Sequence, residues 1–378
     1  MKDILANSAT ASPLDAIAPQ RSGGSSQAPR IAVAGVSGYA GAELARLLLH
    51  HPRLHEAAHT FLGRAGEGEN NAAISLEDLH PHLTKAGVRS TPIHPFHWDR
   101  ISDAGIQVLF LATPHEQSRE WVPEAIERDI KVIDLSGAWR LQQASNRDVY
   151  RLRDADPALA AALQAEAVYG CPELHRDKIK DARLVANPGC YATSIILALA
   201  PLLQAGLVDL DHGIICDAKS GVSGAGKAAT AKTHFMYAAD NLSAYAVFGH
   251  RHTGELLEQL HVNEGQIQFT PHLLPIPRGI LSTIYLRLKQ STQPSEVSSV
   301  LQDFYRSSPL VRLRPSPQLP EIQHVVRTSF CDLGFVLAAD GRRLIMVSCL
   351  DNLLKGAASQ AVQNLNLMCG WSEEEGLL

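Results

Sequence analysis

Residues 31–50 join a short apolar run, Ile31-Ala-Val-Ala, through the turn Gly35-Val-Ser-Gly38-Tyr-Ala-Gly41 to Ala42-Glu-Leu-Ala-Arg-Leu-Leu-Leu-His50, whose apolar residues recur at helical spacing. A buried strand, a turn whose glycines let a backbone approach its ligand, and a helix start with free N–H groups form a binding unit for a pyrophosphate. The spacing is GxxGxxG rather than GxGxxG, and a glycine turn that holds nothing explains the same residues. The context narrows the choice. Apolar stretches at 57–62, 107–111 and 131–135 follow, alternating with helical patterns such as 118–128. Strands alternating with helices predict an α/β fold with a Rossmann-type doubly wound parallel sheet.

The chain has 378 residues, which at roughly 100–200 residues per domain favours two domains. From about Cys190 the texture changes to one long apolar helix over 191–204 and strands at 213–218, 266–271, 282–288 and 343–349, separated by long loops. This predicts an α+β second domain. A last helical pattern over 353–368 is expected to pack back on the first domain. The expected division is a dinucleotide-binding domain over 30–189, a second domain over 190–350 and a returning C-terminal segment over 351–378. Residues 1–29, rich in Ala, Ser, Pro and Gln with no signal-peptide apolar core, read as a disordered tail.

Lys and Arg number 34 against 39 Asp and Glu, a net charge of −5 too mild for a polyanion-binding surface, so nucleic acid is disfavoured as a partner. With 45% hydrophobic and 19% charged residues the composition is that of a soluble globular chain, and no apolar run reaches bilayer length. Six cysteines without a CxxC pair suggest neither a zinc ribbon nor a disulfide scaffold and fit the reducing cytoplasm.

The second strand runs into Gly63-Arg64-Ala65-Gly66, and an arginine there suits a 2′-phosphate, which favours NADP over NAD; a solvated loop residue is the plain alternative. In Asn187-Pro-Gly-Cys190-Tyr-Ala-Thr193 the Pro-Gly turn places Cys190 at the first turn of the long helix, where dipole and free N–H groups are expected to push the thiol toward thiolate. Cys190 is thus either a nucleophile or a buried helix-start thiol, while Cys216 and Cys349 sit in strand-like runs and read as core. Among 17 histidines, Gly249-His250-Arg251-His252 offers the best acid/base; were the stretch extended, His250 and His252 would share one face. A metal pair there lacks a third ligand at a telling spacing, so no metal is assigned. His80, His82, His94 and His97, among prolines, read as surface loop residues. Gly221-Val-Ser-Gly-Ala-Gly226-Lys227 matches the GxxxxGK of a triphosphate loop, but Ala228 stands where a magnesium-ligating Ser or Thr belongs; a glycine loop near another phosphate or a nicotinamide ring explains it as well.

Taken in order, Gly-Val-Ser-Gly-Tyr-Ala-Gly at 35–41, Leu-Ala-Thr-Pro-His at 111–115, Asp-Leu-Ser-Gly-Ala-Trp-Arg at 134–140, Asn-Pro-Gly-Cys-Tyr at 187–191, Ser-Gly-Val-Ser-Gly-Ala-Gly at 220–226, Gly-His-Arg-His at 249–252 and Asp-Asn-Leu-Leu-Lys-Gly-Ala-Ala at 351–358 resemble the N-acetyl-gamma-glutamyl-phosphate reductase family over about residues 30–370. The resemblance implies the aspartate-semialdehyde dehydrogenase fold, with a second domain for substrate and oligomerisation. It also implies NADPH-dependent reduction of a small acyl phosphate, N-acetylglutamyl 5-phosphate, to the semialdehyde in arginine biosynthesis, by a homodimer or homotetramer. Carried over by motif, Cys190 is the nucleophile through a thioester, and His250 is the first choice of acid/base, ahead of His252. Arg140, Asn187 and Arg251 are substrate candidates. Gly35, Ser37, Gly38, Tyr39, Ala40 and Gly41 would hold the pyrophosphate, and Thr113, Pro114 and His115 would lie over the adenosine. Arg64 and Ser136 complete the cofactor set, with Ser223, Gly224, Ala225 and Asn352 near the nicotinamide. Two positions depart from the family pattern: Cys171 where leucine is usual, and Gly63 where Ser or Thr is common. Reduction of another acyl phosphate (aspartyl phosphate or a carrier-linked aminoadipyl phosphate), a non-catalytic dinucleotide-sensing protein and a triphosphate hydrolase are the alternatives.

Overall fold

The computed structural model describes residues 28–54, 59–63, 74–84 and 90–378; Arg64 and residues 1–27 of the expected tail lie outside the described residues. Two seven-stranded sheets organise the chain. The first contains β1 (Ile31–Ala34), β2 (His59–Gly63), β3 (Ile93–Pro95), β4 (Val108–Leu111), β5 (Lys131–Asp134), β6 (Val168–Tyr169) and β7 (Leu184–Ala186). Its order is β3-β2-β1-β4-β5-β7-β6, every neighbouring pair parallel. Ile31 pairs with His59 on one side and Val108 on the other, so the strand order reverses between β1 and β4, where open α/β sheets bind ligands.

Both faces of this sheet are covered, which is why β1 and β4 are unbroken apolar runs. Ile31, Val33 and Phe110 point to one core, shared with Leu44, Leu48 and the C-terminal Leu365, while Ala32, Leu109 and Leu111 point to the other, with Val122 and Trp139.

The second sheet holds β8 (Ile214–Gly221), β9 (Ser243–Ala244), β10 (Ile267–Leu274), β11 (Ile280–Arg287), β12 (Val311–Leu313), β13 (Cys331–Leu337) and β14 (Arg343–Leu350). The order is β12-β13-β14-β11-β8-β10-β9, a mixed sheet. The helix Cys190–Gln204 lies on one face of it and is apolar nearly all round because it is buried nearly all round. On the other face Ile215, Tyr285 and Ile345, cross-strand neighbours on β8, β11 and β14, stay exposed.

After β14 come a π turn, Leu354–Ala358, and the helix Ser359–Met368, which packs against the helices Tyr39–Leu49 and Pro172–Lys180. The GxxxxGK stretch does not open a helix: β8 passes into one 3-10 turn, Val222–Ala225, and then a loop. A triphosphate loop depends on the helix that follows it, so that reading is corrected.

Candidate active site

A cleft of about 1290 Å³ runs from the turns after β1 and β4 to the start of the helix Cys190–Gln204. At the dinucleotide end, Gly35 has φ +88°, and a Cβ there would sit 2.3 Å from the Ala112 carbonyl oxygen, so only glycine fits. Gly38 precedes the helix Tyr39–Leu49 without a side-chain cap, and Ser37, Tyr39, Ala40 and Gly41 line the cleft with it. Thr113, Pro114 and His115 line it at the turn after β4, and the Thr113 hydroxyl is shielded from solvent without a hydrogen-bond partner. An uncapped helix start beside an orphaned hydroxyl fits a dinucleotide's phosphates and ribose. From the other domain, Lys227 Nζ donates to the Ser37 carbonyl at 3.1 Å.

The residues expected near the nicotinamide are tied together. Asn352 Nδ2 donates to Ser223 Oγ at 2.9 Å, and Asn352 Oδ1 accepts the Gly279 N–H at 2.7 Å. Ser223 and Gly224 line the cleft, whereas Ala225 does not. Ser136 lines it too, its hydroxyl donating to buried Asp134 at 2.7 Å.

At the other end Cys190 begins its helix. Gly189 must be glycine, because a Cβ there would lie 2.4 Å from His252 Nε2; the imidazole packs on the backbone directly before the thiol. His252 precedes the helix Thr253–Leu260, and Glu255, one turn on, is wholly buried. Glu255 accepts the Gly189 N–H at 2.9 Å, the Tyr169 hydroxyl at 2.7 Å and Arg140 NH1 at 3.1 Å, and lies 4.0 Å from His252 Nε2. One carboxylate thereby fixes the cysteine loop and the arginine.

Burial pushes the Cys190 thiol up, against the Tyr191 N–H, Arg140 and Arg251, which pull it down, and the balance stays above the ordinary value. The expected helix-start thiolate is therefore corrected: desolvation outweighs the N–H groups in the free protein. Burial, His250, Arg140 and Arg251 together hold His252 well below its ordinary value, so its imidazole is neutral in the free protein.

Three further expectations change. His250 does not line the cleft; it sits edge-on to Tyr191, Tyr245 and Phe269, and burial with Arg251 lowers its pKa to about 4. The segment is a turn rather than extended, its rings 4.7 Å apart and nearly perpendicular, so only His252 reaches the thiol's side. Asn187 is fully buried, its side chain donating to the Ala357 carbonyl at 3.1 Å and accepting from Asn364 at 3.0 Å, which engages it outside the cleft. Arg140 lines the cleft but already donates to Asn187 O, Leu135 O and Glu255. Burial opposes its charge, and Glu255, Tyr150, Tyr169 and Asp134 together outweigh that and hold the guanidinium above its ordinary value. Arg251 lines the cleft as an exposed cation whose guanidinium has no hydrogen bond or ion pair among the described residues. Sequence reading missed Glu255, although an acid three residues after His252 on a helix was a usable signal. It also missed Gly356, where a Cβ would meet Cys190 Cβ at 2.7 Å.

The family descriptions "Semialdehyde dehydrogenase, NAD binding domain" and "Semialdehyde dehydrogenase, dimerisation domain" match residues 30–182 and 190–352. The solved aspartate semialdehyde dehydrogenase II of Vibrio cholerae shares the fold, with a TM-score of 0.66 at 16% identity over 91% of this chain and 99% of that one. Fold, domain pair and cleft define an oxidoreductase of the semialdehyde dehydrogenase class, with a nicotinamide-dinucleotide domain. Curated N-acetyl-gamma-glutamyl-phosphate reductases from Desulforapulum autotrophicum and Bacillus subtilis are 43% and 40% identical over 351 residues, 92% of this chain and 97% and 98% of theirs. The chain belongs to the N-acetyl-gamma-glutamyl-phosphate reductase family.

Proposed function

We propose that this protein reduces N-acetylglutamyl 5-phosphate to the 5-semialdehyde with NADPH, releasing phosphate, as a cytoplasmic homodimer or homotetramer. The observation that carries the reading is one cleft with a glycine turn for a dinucleotide at one end and Cys190 beside a neutral His252 at the other. His252 takes the thiol proton as Cys190 Sγ attacks the acyl carbon; the carbon–oxygen bond to phosphate then breaks and a thioester remains on Cys190. Arg251, without an ion pair among the described residues, holds an anionic group of the substrate, and Arg140, paired with Glu255 and donating to the Asn187 carbonyl, holds the loop before Cys190 in place. The Gly35–Gly41 turn, Thr113, Ser223 and Asn352 hold the dinucleotide, which when bound supplies the hydride that brings the acyl group to the aldehyde level. The alkoxide left by hydride addition collapses to the aldehyde as the carbon–sulfur bond breaks, and His252, still carrying the thiol proton, returns it to the Cys190 sulfur. Six cysteines, all free, support a reducing compartment. Among the described residues no helix is long and apolar enough to cross a membrane. The open sheet face and exposed Phe235, Met236 and Phe248 support self-association.

The test is phosphate-dependent reduction of NADP⁺ with N-acetylglutamate semialdehyde, run beside NAD⁺ and aspartate semialdehyde. Turnover with the acetylated substrate and NADP⁺ is expected; faster turnover with aspartate semialdehyde or NAD⁺ would overturn the substrate or the cofactor assignment.

A further inference from the structure

The turn after β14 is wound wider than an α-helix. The Gly356 N–H donates to the Asp351 carbonyl at 2.9 Å and the Ala358 N–H to the Leu353 carbonyl at 3.0 Å, both five residues back. Such π turns are rare and recur at functional sites. The front of this one belongs to the cleft, which Leu353, Gly356 and Ala357 line. A Cβ on Gly356 would lie 2.7 Å from Cys190 Cβ, and the Ala357 carbonyl accepts from Asn187 Nδ2, three residues before the thiol.

The back of the turn carries a buried ion pair outside the reaction path. Lys355, wholly buried, donates from Nζ to Glu173 Oε1 at 2.7 Å, on the helix Pro172–Lys180, and to Gln363 Oε1 at 2.6 Å, on the helix Ser359–Met368. Gln363 Nε2 donates in turn to Glu173 Oε1 at 3.2 Å and to Glu373 Oε2 at 2.9 Å, and Glu373 pairs with Arg176. Burial pushes the Glu173 carboxyl up, yet Lys355, Gln363 and a backbone N–H outweigh it and hold it below its ordinary range. A buried pair is a weak source of stability, since apolar side chains of similar volume often serve as well. Its yield is geometric: a lysine tied to two helices leaves its own backbone one position, and Gly356 is the next residue. We propose that the Lys355–Glu173 pair positions the nucleophile, holding the π register of the turn so that Gly356 keeps Cys190 in place and shielded from water. The inference rests on the reading of Cys190 as the attacking group and deepens it.

The double variant Lys355→Met with Glu173→Leu strands neither charge of the pair and is compared with wild type, both full length. Iodoacetamide labelling of the free protein at pH 7.5, located by mass spectrometry, reads the position of the thiol. With the turn released, water reaches Cys190 and its pKa falls back, so labelling should quicken about tenfold, one pKa unit of thiolate, while buried Cys216 and Cys331 stay unlabelled. Phosphate-dependent reduction of NADP⁺ with N-acetylglutamate semialdehyde should show kcat lower by about 10–100-fold, the cost of a misplaced reacting group, with KM almost unchanged. Glu173→Gln, which keeps an oxygen for Lys355, should retain most of kcat. Wild-type labelling and kcat in the double variant overturn the inference, and so does labelling of Cys190, Cys216 and Cys331 together, which marks general loosening. A folded wild type that turns over neither N-acetylglutamate nor aspartate semialdehyde overturns the catalytic reading, while the labelling still decides the positioning. Should the double variant fail to fold, Glu173→Asp draws the carboxylate back by one methylene: faster labelling of Cys190 alone supports the inference, and unchanged labelling overturns it.

Discussion

Cys190 and His252 line one cleft because two turns far apart in sequence converge on Gly189. Cys190 was legible, since Pro-Gly before an apolar helix can only present the next residue at its first turn. Which histidine faces it was not: the preceding turn carries Ala246 and Phe248 at positive φ, and that winding rotates His250 into an aromatic nest. The thiol's state was equally hidden, because segment 351–358, far along the chain, supplies part of its burial through Gly356. His252→Asn is expected to lower kcat by about 10²–10⁴-fold, the range for a lost acid/base, with a much smaller loss for His250→Asn. The reverse order of effects in steady-state kinetics would return the role to His250. A thiol held above its ordinary value should be alkylated by iodoacetamide at a rate still rising past about pH 8.5, the usual thiol midpoint. A rate already flat below neutrality, Cys190 being identified by mass spectrometry, would show a preformed thiolate instead.

Between elements, one arginine joins the two domains. Arg278, in the β10–β11 connection, donates to Glu43 on the helix Tyr39–Leu49 and to Asp351 after β14, at 3.0 Å from Oδ2. Asp351, wholly buried, also accepts the N–H groups of Arg327 and Leu353, and its neighbour Asn352 reaches Ser223. Arg278→Met strands the buried carboxylate, and a loss of about 3–5 kcal/mol is expected in denaturant unfolding. Unchanged stability would mean that solvent already satisfies Asp351. Burial pushes the Glu43 carboxyl up, yet Arg278 and Arg46 outweigh it and hold it below its ordinary range. A depressed folded value stabilises above the unfolded pKa and is lost as pH falls through the folded one. Acid unfolding should therefore be shallower below about pH 4.5 in Glu43→Gln than in wild type. None of this was legible beforehand, because a lone arginine between strands carries no periodic signal. Strand β13 was missed for a related reason: buried Asp332, paired with Arg312 and Arg314, interrupts the apolar pattern that would have marked it.

At the scale of the molecule, the alternation of strands and helices foretold the parallel first sheet and its strands β1, β2, β4 and β5, because a parallel sheet covered on both faces is built from apolar strands. Strands β3, β6 and β7, two or three residues long, left no run to read. The second sheet was legible only in its longer strands; β9 and β12 are two and three residues long and exist through their neighbours. Its uncovered face carries the last consequence. Ile215 at 49%, Tyr285 at 43% and Ile345 at 37% exposure form a row across three central strands, whereas a one-sided sheet in water alternates to polar residues on its open side. Asp217, Lys219 and His272 share that face and pair with one another, so their charges are matched locally. A flat apolar row with internally neutralised charges suits a second copy of the same surface, since a two-fold contact sets like residues against like. Tyr285→Glu with Ile345→Glu would put carboxylates from both copies into the buried row, and desolvating them there, even with Arg287 and Arg343 two residues along on the same face, costs more than the lost apolar contact. Sedimentation should show wild type as a dimer or larger and this variant shifted to monomer with its circular dichroism intact. An unshifted variant would place the contact elsewhere, and the exposed Phe235–Phe248 segment would be the next surface to charge.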